Sequence, residues 1–281
     1  MHSPRYSLSA LRGDLFGGLT AGVVALPLAL AFGVASGAGA IAGLYGAIAL
    51  GFFAALFGGT PSQVSGPTGP MTVIAAAAVA SFPGDLPAVF TVVVLAGLLQ
   101  IGLGLLRVGV FVRYIPYPVI SGFMSGIGVI IVLLQIHPLL GSPSVGSPLV
   151  ALARLPEALS ALNPHCLLLS GLTMLIVFLT PARVTRVVPS PLVALLCVSL
   201  LSNLLGFSVP TIGEIPSGLP RLVLPTLSAE QLPRILAMAL ALSTLGVIDS
   251  LLTSIVADSI TRERHDSNRE LVGQGIGNAV A

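Results

Sequence analysis

The chain has no lysine and no tryptophan, and only 8% of its 281 residues are charged. Soluble domains carry roughly 25% charged residues, so a water-facing surface cannot be built from this composition. From Leu15 to Gly84 there is no Asp, Glu, Lys or Arg at all, and a soluble protein of this size cannot hide so long a stretch. The net charge of +2 is too small for a nucleic-acid surface. Cys166 and Cys197 stand in apolar runs without metal-ligand spacing, and no disulfide is expected between them. His2, His137, His165 and His265 are scattered over termini and loops. No H-E-x-x-H pair and no phosphate-cradling P-loop occurs. Ser125, within Gly122-Phe123-Met124-Ser125-Gly126, has no histidine in its own segment and is better read as a small packing residue than a nucleophile. No enzyme signature is left.

Long hydrophobic runs fill the chain instead: 55% of residues are apolar and the mean hydropathy is +1.03. A helix needs about 20 apolar residues to cross a bilayer. Eight candidates follow, at about 15–35, 38–58, 67–82, 88–106, 117–136, 166–181, 188–206 and 233–257. The third and sixth are short. Leu15–Phe32, preceded by Arg5 and Arg12, has the outline of a signal peptide, but the apolar pattern runs on into a second span.

Arginine placement tests the count. With a cytoplasmic N-terminus, the inner segments hold Arg5, Arg12, Arg107, Arg113, Arg183, Arg186, Arg262, Arg264 and Arg269, and the outer loops hold Arg154, Arg221 and Arg234. Cytoplasmic loops are the ones expected to be rich in arginine. The fold class is therefore an all-α polytopic membrane protein with about eight transmembrane helices, in the cell inner membrane. Glycines recur four apart at Gly13/Gly17, Gly18/Gly22, Gly33/Gly37, Gly39/Gly43 and Gly122/Gly126, a spacing that predicts close helix packing in lipid.

Two places can carry chemistry. The run Thr60-Pro61-Ser62-Gln63-Val64-Ser65-Gly66-Pro67-Thr68-Gly69-Pro70-Met71-Thr72 has no charge, which is odd for a loop in water. Its prolines and glycines predict an extended stretch, then a helix beginning inside the membrane with proline at its first turn. Irregular backbone at that depth is tolerated only against protein or a water-filled cavity. A helix start there presents free N–H groups to an anion, and broken helices are where secondary transporters bind substrate. Thr68, Gly69, Met71 and Thr72 are the candidate substrate-binding residues, the threonines adding hydroxyls unless they bond back to their own helix. The bland alternative is a plain surface loop.

The second place is Asp249, the only ionisable residue between Arg234 and Asp258. A carboxylate in a membrane helix costs ~3 kcal/mol or more and is a functional candidate by default. Thr253, one turn on, shares its helix face. Carboxylate plus hydroxyl suits a hard cation such as Na⁺, and a lone carboxylate equally suits a proton. Ser250 and Ser254 are weaker candidates, and Gln100 and Gln135 could face a cavity. The run Asp258, Arg262, Glu263, Arg264, Asp266, Arg269, Glu270 is expected to be a solvated loop.

Arg12-Gly13-Asp14-Leu15-Phe16-Gly17-Gly18-Leu19-Thr20-Ala21-Gly22 with Ala25-Leu26-Pro27, Gly66-Pro67-Thr68-Gly69-Pro70, Ile248-Asp249-Ser250-Leu251-Leu252-Thr253-Ser254 and Gly273-Gln274-Gly275-Ile276-Gly277-Asn278 together resemble the SulP (sulfate permease) anion transporters. They look like that family's first, third, eighth and ninth spans, and are most similar to its sodium-dependent bicarbonate branch. The resemblance implies an inverted repeat of seven plus seven spans, with a core domain moving against a gate domain. The chain would hold the first repeat (about 15–206) and the start of the second (about 207–281), cut short and without the cytoplasmic STAS domain. It also implies that Thr68 lies on the substrate side of a half-helix, and that Asp249 and Thr253 bind Na⁺ in the sodium-coupled branch. Gly66 departs from the pattern, standing where bicarbonate-type relatives often have an acidic residue.

The expected function is secondary transport of a small inorganic anion, bicarbonate or sulfate, coupled to Na⁺ or H⁺. The alternatives are an inactive fragment, a passive anion channel of the same fold, or a nucleobase carrier. No cofactor is expected beyond a coupling Na⁺. The expected partners are the anion and the lipid bilayer, with a homodimer allowed.

Overall fold

The computed structural model describes residues 7–185, 188–211, 225 and 228–281. His2, Arg5, Arg186 and Arg221 lie outside them, as does most of the 207–232 loop.

The described residues form twelve α-helices. Five are long and apolar enough to cross a membrane: α1 (Leu8–Ala35), α2 (Ala40–Phe57), α4 (Leu86–Leu105), α5 (Tyr117–Leu140) and α11 (Leu232–Thr261). Three shorter apolar helices, α3 (Gly69–Ser81), α8 (Pro164–Leu179) and α10 (Ser190–Leu205), occupy the remaining expected spans. The short α6 (Pro148–Ala153), α7 (Leu155–Ser160) and α9 (Ala182–Thr185) lie in connections, and α12 (Ser267–Val280) closes the described chain. A 3₁₀ turn, Val108–Tyr114, joins α4 to α5.

Local chemistry sets the ends. Pro70, Pro87, Pro118, Pro164 and Pro191 each sit in a helix's first turn, where the missing N–H costs nothing. Asp85 caps α4 by accepting the Ala88 N–H at 3.1 Å. The α1–α2 turn runs through Gly37 (φ 78°) and Gly39 (φ 97°), conformations that favour glycine.

The connections gather at two ends. At one, the Asp266 N–H donates to the Gly59 carbonyl (3.0 Å) and Gly109 lies against Ser267. At the other, Gln231 donates to Asp85 (3.4 Å) and Arg234 to the Ser81 carbonyl (3.2 Å). The chain therefore runs from one end to the other between 59 and 81, between 85 and 109 and between 231 and 266. One apolar cluster joins α3, α4 and α11 through Ala78, Val92, Ala96, Ile235 and Leu242, and a second joins Ile120, Leu251, Leu252 and Leu271.

The glycine expectation is corrected. A side chain on Gly13, Gly17, Gly18, Gly22, Gly122 or Gly126 would meet nothing within 4 Å. Among the glycines of those pairs, Gly33 of α1 presses backbone to backbone on Gly39 and on Gly43 of α2, one from each of two expected pairs. The tightest stripe is on α12. A Cβ on Gly273 would strike Gly58 and Phe57, one on Gly275 the Gly97 carbonyl at 2.6 Å, and one on Gly277 the backbone of Leu50 at 3.2 Å. Small residues let α12 wedge between α2 and α4 at backbone distance.

Cys166 and Cys197 are free cysteines, as the sequence predicts, the first buried and the second exposed. Two other expectations change. His137 and His165 belong to helices: His137 Nε2 bonds the Ala151 carbonyl (2.9 Å), and His165 stacks on Phe207. The solvated run at 258–270 is partly buried. His265 Nδ1 lies 2.7 Å from Asp258, its Nε2 2.9 Å from the Ser267 hydroxyl, and Glu270 is only 2% exposed.

Candidate functional site

Residues 63–68 are irregular and α3 starts at Gly69, as the proline and glycine pattern predicts. Thr68 is the N-cap, with extended backbone (φ −121°, ψ 157°). An N-cap threonine ordinarily turns its hydroxyl onto its own helix, but Thr68 makes no such bond. Its Oγ1 is buried without a hydrogen-bond partner, one of three such side-chain oxygens among the described residues. A buried hydroxyl left unbonded costs about 1–3 kcal/mol.

Thr72 behaves differently. Its N–H and its hydroxyl both return to the Thr68 carbonyl, at 2.9 and 2.8 Å. Pro70 has no N–H, so Gly69 and Met71 supply the first amides without a helical acceptor. The α-carbon of Gly69 packs against Ile131 of α5. Thr68, Met71 and Thr72 line a cavity of about 180 Å³ with Phe32, Gly46, Phe90 and Asn278 among its other walls; Gly69 is not part of its lining.

Asp249 is 7% exposed. It lies near the middle of α11, so the start of α3 beside it stands at the mid-height of the longest helix. The Thr68 hydroxyl faces the Asp249 carboxylate within electrostatic reach but outside hydrogen-bonding geometry. Gly246, one turn earlier, makes room for Met71 and Gln100: a Cβ there would meet Met71 Cε at 3.2 Å. Among the described residues no basic side chain forms an ion pair with Asp249; the ion pair found joins His265 to Asp258. Thr253 donates its hydroxyl to the Asp249 carbonyl at 2.8 Å, leaving its oxygen lone pairs available.

Thr68 and Asp249 thus meet, with Met71 and Thr72 on the cavity wall and Thr253 one turn below. An unpaired buried carboxylate next to an unbonded hydroxyl oxygen has the donor chemistry for a hard cation, and two free amides at a helix start have that for an anion. No group of three His, Cys, Asp or Glu residues able to hold a transition metal occurs among the described residues.

Other polar residues hold the site from the adjoining helices. Gln100 is buried and accepts from the cavity-lining Asn278 at 2.7 Å. Ser254 is fully buried and bonds Thr60 and Gln63, each at 2.9 Å, fastening the irregular segment to α11. Glu270 and Gln274 hold the same segment from α12. Nothing in the local sequence around Gln100 or Glu270 marks these pairings, because each spans well over a hundred residues.

The sulfate permease family matches residues 11–281. The bicarbonate transporter BicA of Synechocystis is 53% identical over 96% of this chain and 50% of its own length. The putative sulfate transporter YvdB of Bacillus subtilis is 34% identical over 98% of this chain and 53% of its own. The chain spans about half the length of these curated relatives. The solved transmembrane domain of a cyanobacterial BicA superposes with a TM-score of 0.85 at 52% identity, covering 99% of this chain and 72% of that one. SLC26A9 shares the fold, with a TM-score of 0.79 at 19% identity.

Proposed function

From the premise that this chain belongs to the sulfate permease family and is a multi-pass membrane protein, we propose that it forms the substrate-holding part of a secondary transporter for a small inorganic anion. Bicarbonate is the first candidate and sulfate the second, because the relatives named for bicarbonate are 53% and 50% identical and those named for sulfate 34% or less. The anion sits against the N–H groups of Gly69 and Met71, with the Thr68 hydroxyl turning toward it. The coupling cation, Na⁺ or H⁺, rides with Asp249, and the oxygens of Thr68 and Thr253 are the nearest further ligands.

The observation that carries this reading is the buried Thr68 hydroxyl without a partner, beside a carboxylate without a counter-ion. A protein that needed this corner only for stability would have given the hydroxyl a partner and the carboxylate a counter-charge. Opposite charges held side by side also give a reason for coupling: each ion lowers the cost of burying the other.

The arginine distribution favours a cytoplasmic N-terminus and the inner membrane. The repeat boundary we propose falls near residue 206, at the end of α10. The test is uptake of labelled bicarbonate and of labelled sulfate by the whole gene product in proteoliposomes, with and without a Na⁺ gradient. Saturable, gradient-dependent uptake of one anion is expected. Uptake of neither defeats the reading, and flux indifferent to any Na⁺ or pH gradient replaces it with a passive channel.

A further inference from the structure

Glu270 is a buried carboxylate with no basic side chain in ion-pairing distance among the described residues. Such a group is costly unless hydrogen bonds replace its water, and the bonds it makes all lead to the segment that precedes the candidate site. One oxygen accepts the Gly59 N–H at 2.9 Å. The other accepts from Gln274 at 2.9 Å, and the same Gln274 amide nitrogen also donates to the Ser65 hydroxyl. Gly58 leaves just enough room: a Cβ there would lie 3.1 Å from a Glu270 oxygen. Glu270 stands in the first turn of α12, where the helix dipole favours negative charge. The irregular segment is therefore gripped at Gly59 and Ser65 from α12, while Thr68 at its far end is left with a free hydroxyl.

We propose that Glu270 is a positioning residue for the anion site. Working through Gly59 and through Gln274 to Ser65, it fixes the path of residues 59–65 and so sets where α3 begins and where the Gly69 and Met71 amides point. This rests on the proposed function above. Proline at 67 and at 70 makes the link stiff, so a displacement at Ser65 is passed on to Thr68.

The test compares Glu270→Ala with Glu270→Gln in the whole gene product. Alanine removes both acceptors. Glutamine keeps one for Gly59, and the Gln274 amide can flip to accept from the new NH₂ while Ser65 donates to it, so the grip survives without the charge. A role in stability alone lowers the amount of folded protein and leaves KM untouched. A positioning role raises KM for the anion in Glu270→Ala, by about tenfold for the loss of one buried hydrogen-bonded contact, and Glu270→Gln restores it. If Glu270→Ala does not accumulate, Gln274→Ala, which frees Ser65 and one Glu270 oxygen but keeps the Gly59 bond, must raise KM in the same direction. Wild-type KM in the folded variants overturns the proposal. Hydrogen exchange separates this from failure of the transport reading. Even if the wild type takes up no anion, the Thr72 amide, whose bond to the Thr68 carbonyl closes the first turn of α3, must exchange about tenfold faster in Glu270→Ala than in wild type; equal rates overturn the positioning role by themselves.

Discussion

The Thr68 hydroxyl and the Asp249 carboxylate stand side by side, one on the N-cap residue of α3 and the other halfway along α11, and Thr68 Oγ1 is buried without a partner in hydrogen-bonding geometry. Thr72, one turn further along α3, spends its hydroxyl on the Thr68 carbonyl. The two threonines therefore make opposite predictions. Thr68→Val removes an unsatisfied buried oxygen, so the protein should melt no lower than wild type and up to ~1 kcal/mol more stable. Its anion KM should nevertheless rise about tenfold, with Thr68→Ser close to wild type. Thr72→Val should leave KM within about twofold. Uptake kinetics and thermal melts of the same purified variants check this; a lowered melting point with unchanged KM in Thr68→Val would make Thr68 a structural cap.

Asp249 gives the second prediction. Asp249→Asn keeps the volume and removes the charge, so the hydration cost of a buried carboxylate disappears while the cation loses its partner. Normal amounts of membrane-inserted protein are expected, with coupled uptake down by at least about tenfold and no longer dependent on the Na⁺ or pH gradient. Gradient-driven uptake at the wild-type rate in Asp249→Asn would remove the residue from the mechanism.

What the sequence made legible here was local. An uncharged run dense in proline and glycine between apolar stretches fixes an irregular segment and a helix start, and α3 begins at Gly69. One carboxylate alone in a long apolar helix is conspicuous by its cost, and Asp249 is buried. Neither signal says that the two features touch. Glu270 was hidden for the opposite reason: it lies among arginines and acids that look solvated, and its burial follows from α12 wedging between α2 and α4. The four-residue glycine spacing misled in the same way. It finds faces that could pack, whereas which faces do pack depends on helix order in space.

That distinction yields the third prediction. Gly275→Ala places a methyl 2.6 Å from the Gly97 carbonyl and 2.7 Å from the Ile101 backbone, and neither is the yielding tip of a side chain. Overpacking of this kind costs about 1–3 kcal/mol. Gly122→Ala meets nothing within 4 Å and gains helix propensity, up to ~1 kcal/mol. Melting temperatures in one detergent should fall for Gly275→Ala and hold or rise for Gly122→Ala. Equal shifts would mean that α12 does not lie against α4 as described.

The fourth prediction concerns the two ends of the molecule. Connections 58–68, 106–116 and 262–266 gather at one end through Gly59 with Asp266 and Gly109 with Ser267, and the 82–85 turn meets the start of α11 at the other through Asp85, Ser81, Gln231 and Arg234. The arginines Arg107, Arg113, Arg262, Arg264 and Arg269 belong to the first end, which should be cytoplasmic because cytoplasmic segments near a span retain arginine. In a variant lacking Cys166 and Cys197, a cysteine at Glu263 should react with a membrane-impermeant maleimide only after the membrane is opened. A cysteine at Pro83 should react in intact cells. The two positions must differ whichever way the protein inserts, since α4 and α11 each run from one end to the other. Labelling of both from the same side would therefore break the span count, and the reverse pattern would break only the orientation.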